Sequence, residues 1–293
     1  KRAMEESVHH STALEGNHLT FEQVQEILDG SQEVIGAPHD IQEVLNYQEA
    51  LKFVDEVAGK DQFSLAMLLH IHRLLGGSGQ FRASQVVVRN TQTGEVSYTP
   101  PPAAEVPYLM EDLIRWISQS ESQQIHPVIK AAIVQYELSR IHPFAVANGL
   151  AARVVTSLLL QVDHYNLEGY FSLEEYLAKD PMRYHLISQA ISNQKVMDTH
   201  ERDITPWLEF FVVGAAAKAR SLQEQVRQVS TESHIKDKLG EQMELTERQM
   251  IIMEYLKRYK FMRNSDFRKI FPDHSDDTVL RELRFMKQKG LVQ

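Results

Sequence analysis

The sequence predicts a mainly α-helical protein with one β-hairpin and a small C-terminal domain. Apolar residues recur at helical spacing along most of the chain, and residues 150–162 are apolar on almost every side, as expected of a helix in the middle of a domain. Residues 85–88 and 96–99 are β-prone runs on either side of a Gly-containing loop, which predicts a hairpin with a longer loop. The prolines that follow should end it.

A change of composition divides the chain into domains. Residues 215–242 are Ala-rich and then rich in Gln, Glu, Lys and Ser, which is typical of an exposed helical connector. The apolar pattern resets at Leu245. We therefore expect a main domain over residues 1–215, a helical linker over 216–244 and a smaller domain over 245–293.

Composition narrows the class of protein. The 293 residues, 43% of them hydrophobic, suffice for a large helical domain and a small one. The absence of cysteine excludes disulfides and thiolate metal sites and fits a cytoplasmic protein. We expect neither a membrane-spanning helix nor a signal peptide. The net charge of −9 argues against a general nucleic-acid-binding surface, although the part from Thr246 onwards has 11 Lys and Arg against 7 Asp and Glu, a net +4 that leaves −13 for the rest.

Start and stop signals indicate the individual helices. Gly16 is well placed to end a first helix, and Thr20 with Gln23 forms a capping box for the next. Helices are predicted over residues 21–28, 40–54, 63–75, 106–118, 126–141, 166–179 and 181–192, and a last core helix starts at Ile204. His70 and His72 lie two residues apart on different faces of one helix, so we interpret them as ordinary helix residues rather than metal ligands.

The stretch I-H-P-F-A-V-A-N-G-L-A-A-R at residues 141–153 is the candidate for a functional site. Pro143 should end the preceding helix near His142, so the loop that follows opens onto the N-terminus of the buried helix. Free N–H groups and the helix dipole favour an anion there, and Arg153, about one turn into the helix, adds a positive charge. Together with the His, this pattern predicts a phosphate site with a general base.

This stretch resembles the signature of the Fic (filamentation induced by cAMP) family, written HPFx[D/E]GNGRxxR. Members of that family typically transfer AMP from ATP to a hydroxyl side chain of a target protein. The matching positions are His142, Pro143, Phe144, Asn148, Gly149 and Arg153. The resemblance implies ATP as the substrate and His142 as the base for the target hydroxyl. It also implies that Asn148 and the loop N–H groups, with Gly149 allowing close approach, hold the α-phosphate, and that Arg153 holds the γ-phosphate.

Three positions depart from that signature. Val146 stands in place of the acidic residue, Ala147 in place of the first Gly and Leu150 in place of the first Arg. By the resemblance, the acidic residue holds a magnesium ion, which takes oxygen ligands that Val146 lacks. Leu150 cannot replace a guanidinium at the β-phosphate. We therefore expect magnesium to contribute little to ATP affinity, and the loop to be impaired.

A second motif lies near the start of the chain. Ser11, Glu15 and Gly16 fit the pattern [S/T]xxxE[G/N] of the inhibitory helix of self-regulating Fic proteins. The resemblance implies that Glu15 pairs with Arg153 and blocks the γ-phosphate of ATP. A buried Arg needs such a partner, since an unpaired buried charge is costly. From residue type alone, Glu15 would instead be a solvated carboxylate at a helix end.

Two further features have both a structural and a functional interpretation. The hairpin is either a surface feature or, by the resemblance, a flap that aligns the target segment through main-chain pairing. Phe144 and Tyr184 are further candidates for nucleotide binding. Tyr184 and His185 fall where many Fic relatives carry a Tyr-Tyr pair lining the adenine pocket, but either side chain could equally serve in helix packing.

The last residues resemble a winged helix-turn-helix domain. Thr246 and Gln249 form a capping box, and helices are predicted over Glu247–Tyr259, Asn264–Ile270 and residues 276–289, with Gly290 as a stop. The last of these helices carries the basic residues Arg281, Arg284, Lys287 and Lys289 and is led by Asp273, Asp276 and Asp277. Because DNA phosphates would repel these carboxylates, we favour a protein-interaction or dimerisation module, compatible with a homo-oligomer, over DNA binding.

These features lead to two hypotheses for function. The first is an AMP transferase that acts on a protein target, is autoinhibited by Glu15 and is weakened by its loop. The second is a nucleotide-binding pseudoenzyme or regulatory adaptor, with DNA association as a variant. Val146 and Leu150 favour the second hypothesis. His142 and the pairing of Glu15 with Arg153 favour the first, since an inhibitory device suggests an activity to inhibit.

Overall fold

A computed structural model describes residues 2–31, 33–59, 63–89, 94–120, 124–165, 173–194, 201–240, 246–259, 261–272, 276–288 and 292. By compactness the chain divides into two units, Lys1–Gln223 and Glu224–Gln293. In its described residues the first unit is a helical bundle with one two-stranded antiparallel sheet, so the mainly α class and the hairpin are confirmed. The boundaries of the linker and the C-terminal domain stay predictions.

The helices of the described residues follow the sequence pattern closely. They are α1 (Arg2–Leu14), α2 (Phe21–Leu28), α3 (Pro38–Val57), α4 (Leu65–Leu74), α5 (Val106–Ser120), α6 (Pro127–Ile141), α7 (Asn148–Val162), α8 (Glu174–Lys179), α9 (Pro181–Ser192), α10 (Thr205–Gly240), α11 (Glu247–Tyr259), α12 (Asn264–Ile270) and α13 (Asp276–Gln288). The start of the helix predicted over residues 166–179 lies partly outside the described residues. None of the described helices combines the length and the apolar character needed to cross a bilayer.

Capping explains where several helices begin and end. In the predicted capping box of α2, Thr20 N–H donates to Oε1 of Gln23 (2.8 Å) and Gln23 N–H donates to Oγ1 of Thr20 (3.3 Å). The same exchange joins Thr246 and Gln249 at the start of α11, at 3.0 and 3.3 Å. Gly16 has a φ of 98° and turns the chain just after α1, as predicted.

The core of the first unit is built around α7. Leu150, Val154 and Leu158 of this helix are almost fully buried, and α6 packs along it, with α1, α3 and α4 also against it. Trp207 of α10 is buried beside them and donates a hydrogen bond from Nε1 to the Ala132 carbonyl of α6 (2.7 Å). The N-terminal end of α7 is therefore held by a close-packed interior.

The hairpin is shorter than predicted. Its strands are β1 (Val88–Arg89) and β2 (Val96–Tyr98), with Val88 opposite Tyr98. The prediction of a strand over residues 85–87 is wrong. Continuing the antiparallel register would set Val86 and Gln85 against Pro100 and Pro101, which have no N–H to donate to a ladder. Instead, Gln85 bonds through its side chain to the Pro100 carbonyl (2.9 Å). The predicted loop at residues 90–93 lies outside the described residues.

The second unit has a small core of its own. Four side chains are buried together in this core: Ile252 of α11, Phe271 directly after α12, and Val279 and Met286 of α13. The Gln249 side chain donates to the Glu282 carboxylate at 2.6 Å, which joins α11 to α13. The basic side chains of Arg281, Arg284 and Lys287 are exposed on α13. The predictions made for Asp273, Lys289 and Gly290 fall outside the described residues, and the winged-helix assignment stays a prediction.

Candidate active site

The loop between α6 and α7 is held in shape by Asn148. His142 and Ala147, at its two ends, have left-handed backbone conformations with φ of 52° and 58°. The Asn148 side chain accepts a hydrogen bond from Phe144 N–H and donates one to the Phe144 carbonyl, both at 2.9 Å. Both polar ends of this amide are therefore engaged within the loop. The N–H groups in the first turn of α7, which have no acceptor within a helix, are the donors placed for an anion.

His142 has one ring nitrogen in use and one available. Its Nδ1 lies 3.2 Å from the Ser139 carbonyl oxygen. Because a carbonyl can only accept, Nδ1 carries the proton, and Nε2 of the neutral ring keeps its lone pair. Burial lowers the pKa of His142, opposed by the Ser139 carbonyl and the Glu15 carboxylate. A neutral imidazole with a free Nε2 is the form that a general base requires.

Arg153 is buried in α7, with 2% of its surface exposed, and hydrogen bonds join it to the end of α1. Its Nε donates to Oγ of Ser11 (2.6 Å), and its Nη2 donates to the Ser11 carbonyl (2.9 Å) and to Oε1 of Glu15 (2.7 Å). The contact between Glu15 and Arg153 that the two motifs predict is present. Burial alone would lower the pKa of Arg153, but the Glu15 carboxylate above all reverses this and raises it, so the guanidinium stays charged.

Glu15 can approach the loop because Gly149 has no side chain. A methyl group built on Gly149 would overlap the Glu15 carboxylate and press against the guanidinium of Arg153. The carboxylate therefore lies directly on the first turn of α7. This is the position at which the free N–H groups favour an anion, so Glu15 occupies the predicted phosphate site.

Helix α1, which Glu15 directly follows, is attached to the rest of the unit at both ends. After its C-terminal end, the Asn17 amide donates to Oε2 of Glu43 on α3 (2.9 Å). Nearer its start, Lys218 of α10 lies between two carboxylates, 2.9 Å from Glu175 of α8 and 3.5 Å from Glu6 of α1. The bond from Lys218 lowers the pKa of Glu175 to about 2. Both attachments hold Glu15 over Arg153.

Two nucleotide-binding candidates lie in the interior. Phe144 is fully buried beneath the loop, where its ring stacks on His72. Tyr184 is also buried, with its ring 4.9 Å from that of His185 and 5.8 Å from that of Trp207. These contacts match the helix-packing interpretation of Tyr184, and they make Phe144 a support of the loop.

The positions that depart from the signature have contrasting environments. Val146 is 58% exposed at the loop, whereas Leu150 is 2% exposed and belongs to the core. A hard divalent cation at the loop would need an oxygen ligand where Val146 has none, so the residues present do not fit a magnesium ion. Within the described part of the chain, no group of three or more His, Asp and Glu side chains is arranged to hold a metal.

Two residues that support the loop were missed in the sequence. His72, interpreted there as an ordinary helix residue rather than a metal ligand, is 1% exposed and lies against Phe144. Arg82 is buried as well, and it donates to the carbonyls of His142 (2.8 Å) and Ser84 (3.2 Å), among others. Helical periodicity alone cannot reveal either role, because both depend on contacts 60 or more residues away in sequence.

Comparison with known proteins identifies the class of domain that carries this loop. Residues 62–160 match the model of the Fic/DOC family. The matched region runs from before α4 through the hairpin, α5 and α6 into α7, and so contains the whole loop with His142 and Arg153. The chain therefore contains a Fic/DOC family domain.

Curated proteins with similar sequences are named protein adenylyltransferase Fic. That of Drosophila grimshawi is 28% identical over 218 residues, which cover 72% of this chain and 41% of the relative. That of Drosophila persimilis is 31% identical over 218 residues, which cover 72% of this chain and 39% of the relative. The chain thus spans about two fifths of the length of these relatives.

Solved structures share the fold. A Fic family protein from Desulfovibrio desulfuricans superposes with a TM-score of 0.63 at 25% identity, covering 98% of this chain and 80% of that one. Fic-1 from C. elegans superposes with a TM-score of 0.59 at 22% identity, covering 76% of this chain and 63% of that one. The fold therefore recurs in solved proteins that carry the Fic name.

Proposed function

We propose that this chain is a protein AMP transferase that Glu15 holds inactive and that its altered loop weakens. The observation that carries the proposal is the meeting of a base and an anion site at one loop. His142 offers a free Nε2 at one end of the loop, and the buried charge of Arg153 lies beside the N-terminus of α7 at the other. The similarity to proteins named adenylyltransferases supports AMP transfer as the reaction.

In the proposed reaction, the oxygen of a target hydroxyl attacks the α-phosphorus of ATP. Its proton passes to Nε2 of His142, which is unprotonated because Nδ1 carries the proton. The bond between the α-phosphorus and the oxygen bridging to the β-phosphate breaks, and pyrophosphate leaves. AMP is then joined to the target through a phosphodiester.

Arg153 and the first turn of α7 would hold the phosphates. The helix N-terminus offers backbone N–H groups, and Gly149 lets a phosphate come as close as the Glu15 carboxylate now does. Asn148 contributes by keeping the loop in shape through its two bonds to Phe144. No step of the proposed reaction uses magnesium, because Val146 supplies no oxygen ligand.

Inhibition follows from the occupancy of this anion site. The Glu15 carboxylate bonds to Arg153 at 2.7 Å, so a γ-phosphate would have to displace it and would meet a like charge. ATP could then bind only in an arrangement unsuited to transfer, or after α1 has moved. Removal of the carboxylate should expose Arg153 to the nucleotide.

The hairpin is suited to receive the target segment by strand addition. Gln189 of α9 donates to the Ser97 carbonyl of β2 (2.6 Å), and Tyr98 donates to the Arg140 carbonyl of α6 (2.9 Å). Because these bonds fix β2 to the bundle, we propose that an extended target segment pairs with β1.

A regulatory adaptor is the second candidate function, and Val146 and Leu150 favour it. Pyrophosphate departure requires charge neutralisation, and this loop offers neither a carboxylate for a cation nor a second Arg. An adaptor would bind ATP at Arg153 without transferring AMP. For the C-terminal domain we propose a winged-helix-like module that contacts protein, supported by the exposure of Phe261 and Phe285.

The two candidates separate in one experiment. The native chain and its Glu15→Gly variant are incubated with ATP labelled at the α-phosphate and with a cell lysate, and ATP binding is measured in parallel by calorimetry. A transferase yields labelled protein in the Glu15→Gly sample and much less in the native one. Tighter ATP binding without label on any protein supports the adaptor.

A further inference from the structure

His72 lies at the end of α4, directly beneath the candidate loop. Its ring stacks on that of Phe144 with centroids 3.7 Å apart and planes 16° apart. Phe144 is in turn the residue whose backbone N–H and carbonyl are both bonded by Asn148. The position of the His72 ring is therefore transmitted through Phe144 to the first residue of α7.

The hydrogen bonds of His72 define its tautomer. Gly79 N–H donates to Nδ1 at 3.2 Å, so Nδ1 must be unprotonated, and the neutral ring carries its proton on Nε2. This Nε2 is buried and has no hydrogen-bond partner within the described residues. Burial lowers the pKa of His72, and the backbone of Val146 opposes that effect. A buried N–H without an acceptor is uncommon and calls for an explanation.

We propose that His72 is a positioning residue for the loop over residues 142–149 and acts as a neutral imidazole with its proton on Nε2. The stack holds Phe144, and the Gly79 bond sets the orientation of the ring. The proposal takes this loop as the reacting element and in that respect rests on the proposed function. Its test measures the order of the loop and the tautomer of His72 directly, so it does not depend on AMP transfer.

The chain around His72 is shaped to hold the ring in this place. A methyl group built on Gly77 would overlap the His72 ring, so the ring lies between the Gly77 backbone and Phe144. A few residues later, Arg82 N–H donates to the Pro143 carbonyl (2.9 Å), and its side chain donates to the His142 carbonyl. The segment from His72 to Arg82 thus supports the loop along its first half.

The first arm of the test measures amide hydrogen exchange in the loop. His72→Leu removes the ring and both nitrogens, and His72→Asn restores an acceptor for Gly79 N–H without the stack. His70→Leu is the matched control, because His70 lies on the same helix and packs on Phe53 instead, with ring centroids 4.6 Å apart. We expect exchange over residues 144–149 to accelerate about tenfold or more in His72→Leu, less in His72→Asn, and not in His70→Leu.

The second arm observes the unaltered protein, so that it does not depend on a variant folding. Nitrogen NMR of histidine-labelled chain should report a His72 with Nδ1 unprotonated and Nε2 protonated at neutral pH. A proton on Nδ1, or loop exchange in His72→Leu no faster than in His70→Leu, would overturn the proposal. Failure of AMP transfer would overturn the proposed function alone, since neither readout requires it.

Kinetics add a third arm once transfer has been detected. In the Glu15→Gly background, His72→Leu should lower kcat about tenfold to a hundredfold while the KM for ATP changes little, because a misplaced loop affects the transition state more than binding. Partial recovery of kcat in His72→Asn is the expected rescue. An equal loss of kcat in His70→Leu would contradict the assignment.

Discussion

Oε1 of Glu15 lies 2.7 Å from Nη2 of Arg153. Arg153 belongs to α7, the helix that follows the loop carrying His142. The guanidinium is 2% exposed and charged, and the carboxylate that neutralises it belongs to the residue directly after a different helix, α1. Because the Glu15 side chain is 32% exposed, its removal should cost less than the about 3–5 kcal/mol that is typical of breaking a fully buried pair. A phosphate that replaced the carboxylate would satisfy Arg153 equally well. The pair therefore makes the choice between inhibition and ATP binding a competition for one guanidinium.

The contact of Glu15 with Gly149 predicts that the effect of Gly149→Ala on the free energy of unfolding changes sign when Glu15 is removed. In the native chain, Gly149→Ala should lower the free energy of unfolding by about 1–3 kcal/mol, because the methyl group displaces the Glu15 carboxylate. In the Glu15→Gly background the same change should be stabilising by up to about 1 kcal/mol, because Ala is the better helix former. Urea unfolding of the four proteins measures both values. A Gly149→Ala effect that is the same in both backgrounds would contradict the close contact.

Restoration of the loop should be easy at one position and difficult at the other. Val146 is 58% exposed, so Val146→Asp should leave stability nearly unchanged and give ATP binding a dependence on magnesium that the native loop lacks. Leu150 is 2% exposed, so Leu150→Arg should cost about 2–4 kcal/mol of unfolding free energy. Calorimetry with and without magnesium, alongside urea unfolding, checks both. Strong magnesium dependence in the native chain would show that another oxygen ligand serves the site.

The clamp formed by Lys218 with Glu175 and Glu6 predicts a pH-dependent contribution to stability. Lys218 lowers the pKa of Glu175 from its ordinary 4.5 to about 2, so the stabilisation is present above pH 4.5 and is lost as the pH falls towards 2. Lys218→Met should therefore destabilise the chain at pH 7 and have a smaller effect near pH 2.5. Because Lys218 also contacts Glu6 of α1, the variant should raise basal ATP binding.

Lys179→Met is the matched control for Lys218→Met. Lys179 pairs with the same Glu175 at 3.0 Å, but it does not join α1 to α10. It should reproduce part of the pH dependence without the gain in ATP binding. If the control raises ATP binding as much as Lys218→Met does, the clamp does not hold α1 in place.

The pKa of His142 should respond to Glu15 in a defined direction. Burial lowers this pKa below its usual 6.5, and the Glu15 carboxylate opposes the effect, so Glu15→Gln should lower it further. A base must be neutral, so transfer should be constant above the His142 pKa and decline as the pH falls through it. NMR titration of His142 in the native chain and in Glu15→Gln measures the shift. A rise of the pKa in the variant would contradict the placement of the carboxylate.

Local patterns predicted those parts of the fold that depend on neighbouring residues. The capping boxes at Thr20 and Thr246 and the turn at Gly16 follow from short-range chemistry, and all three are present. The contact of Glu15 with Arg153 could also be predicted from the sequence, because each of the two residues lies in a recognisable motif.

The remaining features depend on distant parts of the chain. The hairpin ends before Gln85 and Val86 because these residues would have to pair with prolines. The shape of the loop depends on the Asn148 side chain turning inwards to Phe144. His72 and Arg82 acquire their roles from contacts with residues of the loop 60 or more positions away. Helical spacing predicts which side of α4 is buried, but it does not predict which residues pack on that side.

The most direct test of the account is AMP transfer by the Glu15→Gly chain with and without His142. Labelled ATP and a lysate are supplied to Glu15→Gly and to Glu15→Gly with His142→Ala, and label on protein is quantified. We predict weak but measurable transfer in the first, reduced by about 10²–10³ relative to a loop with its stabilising groups intact, and none in the second. Transfer that persists without His142 would contradict the account.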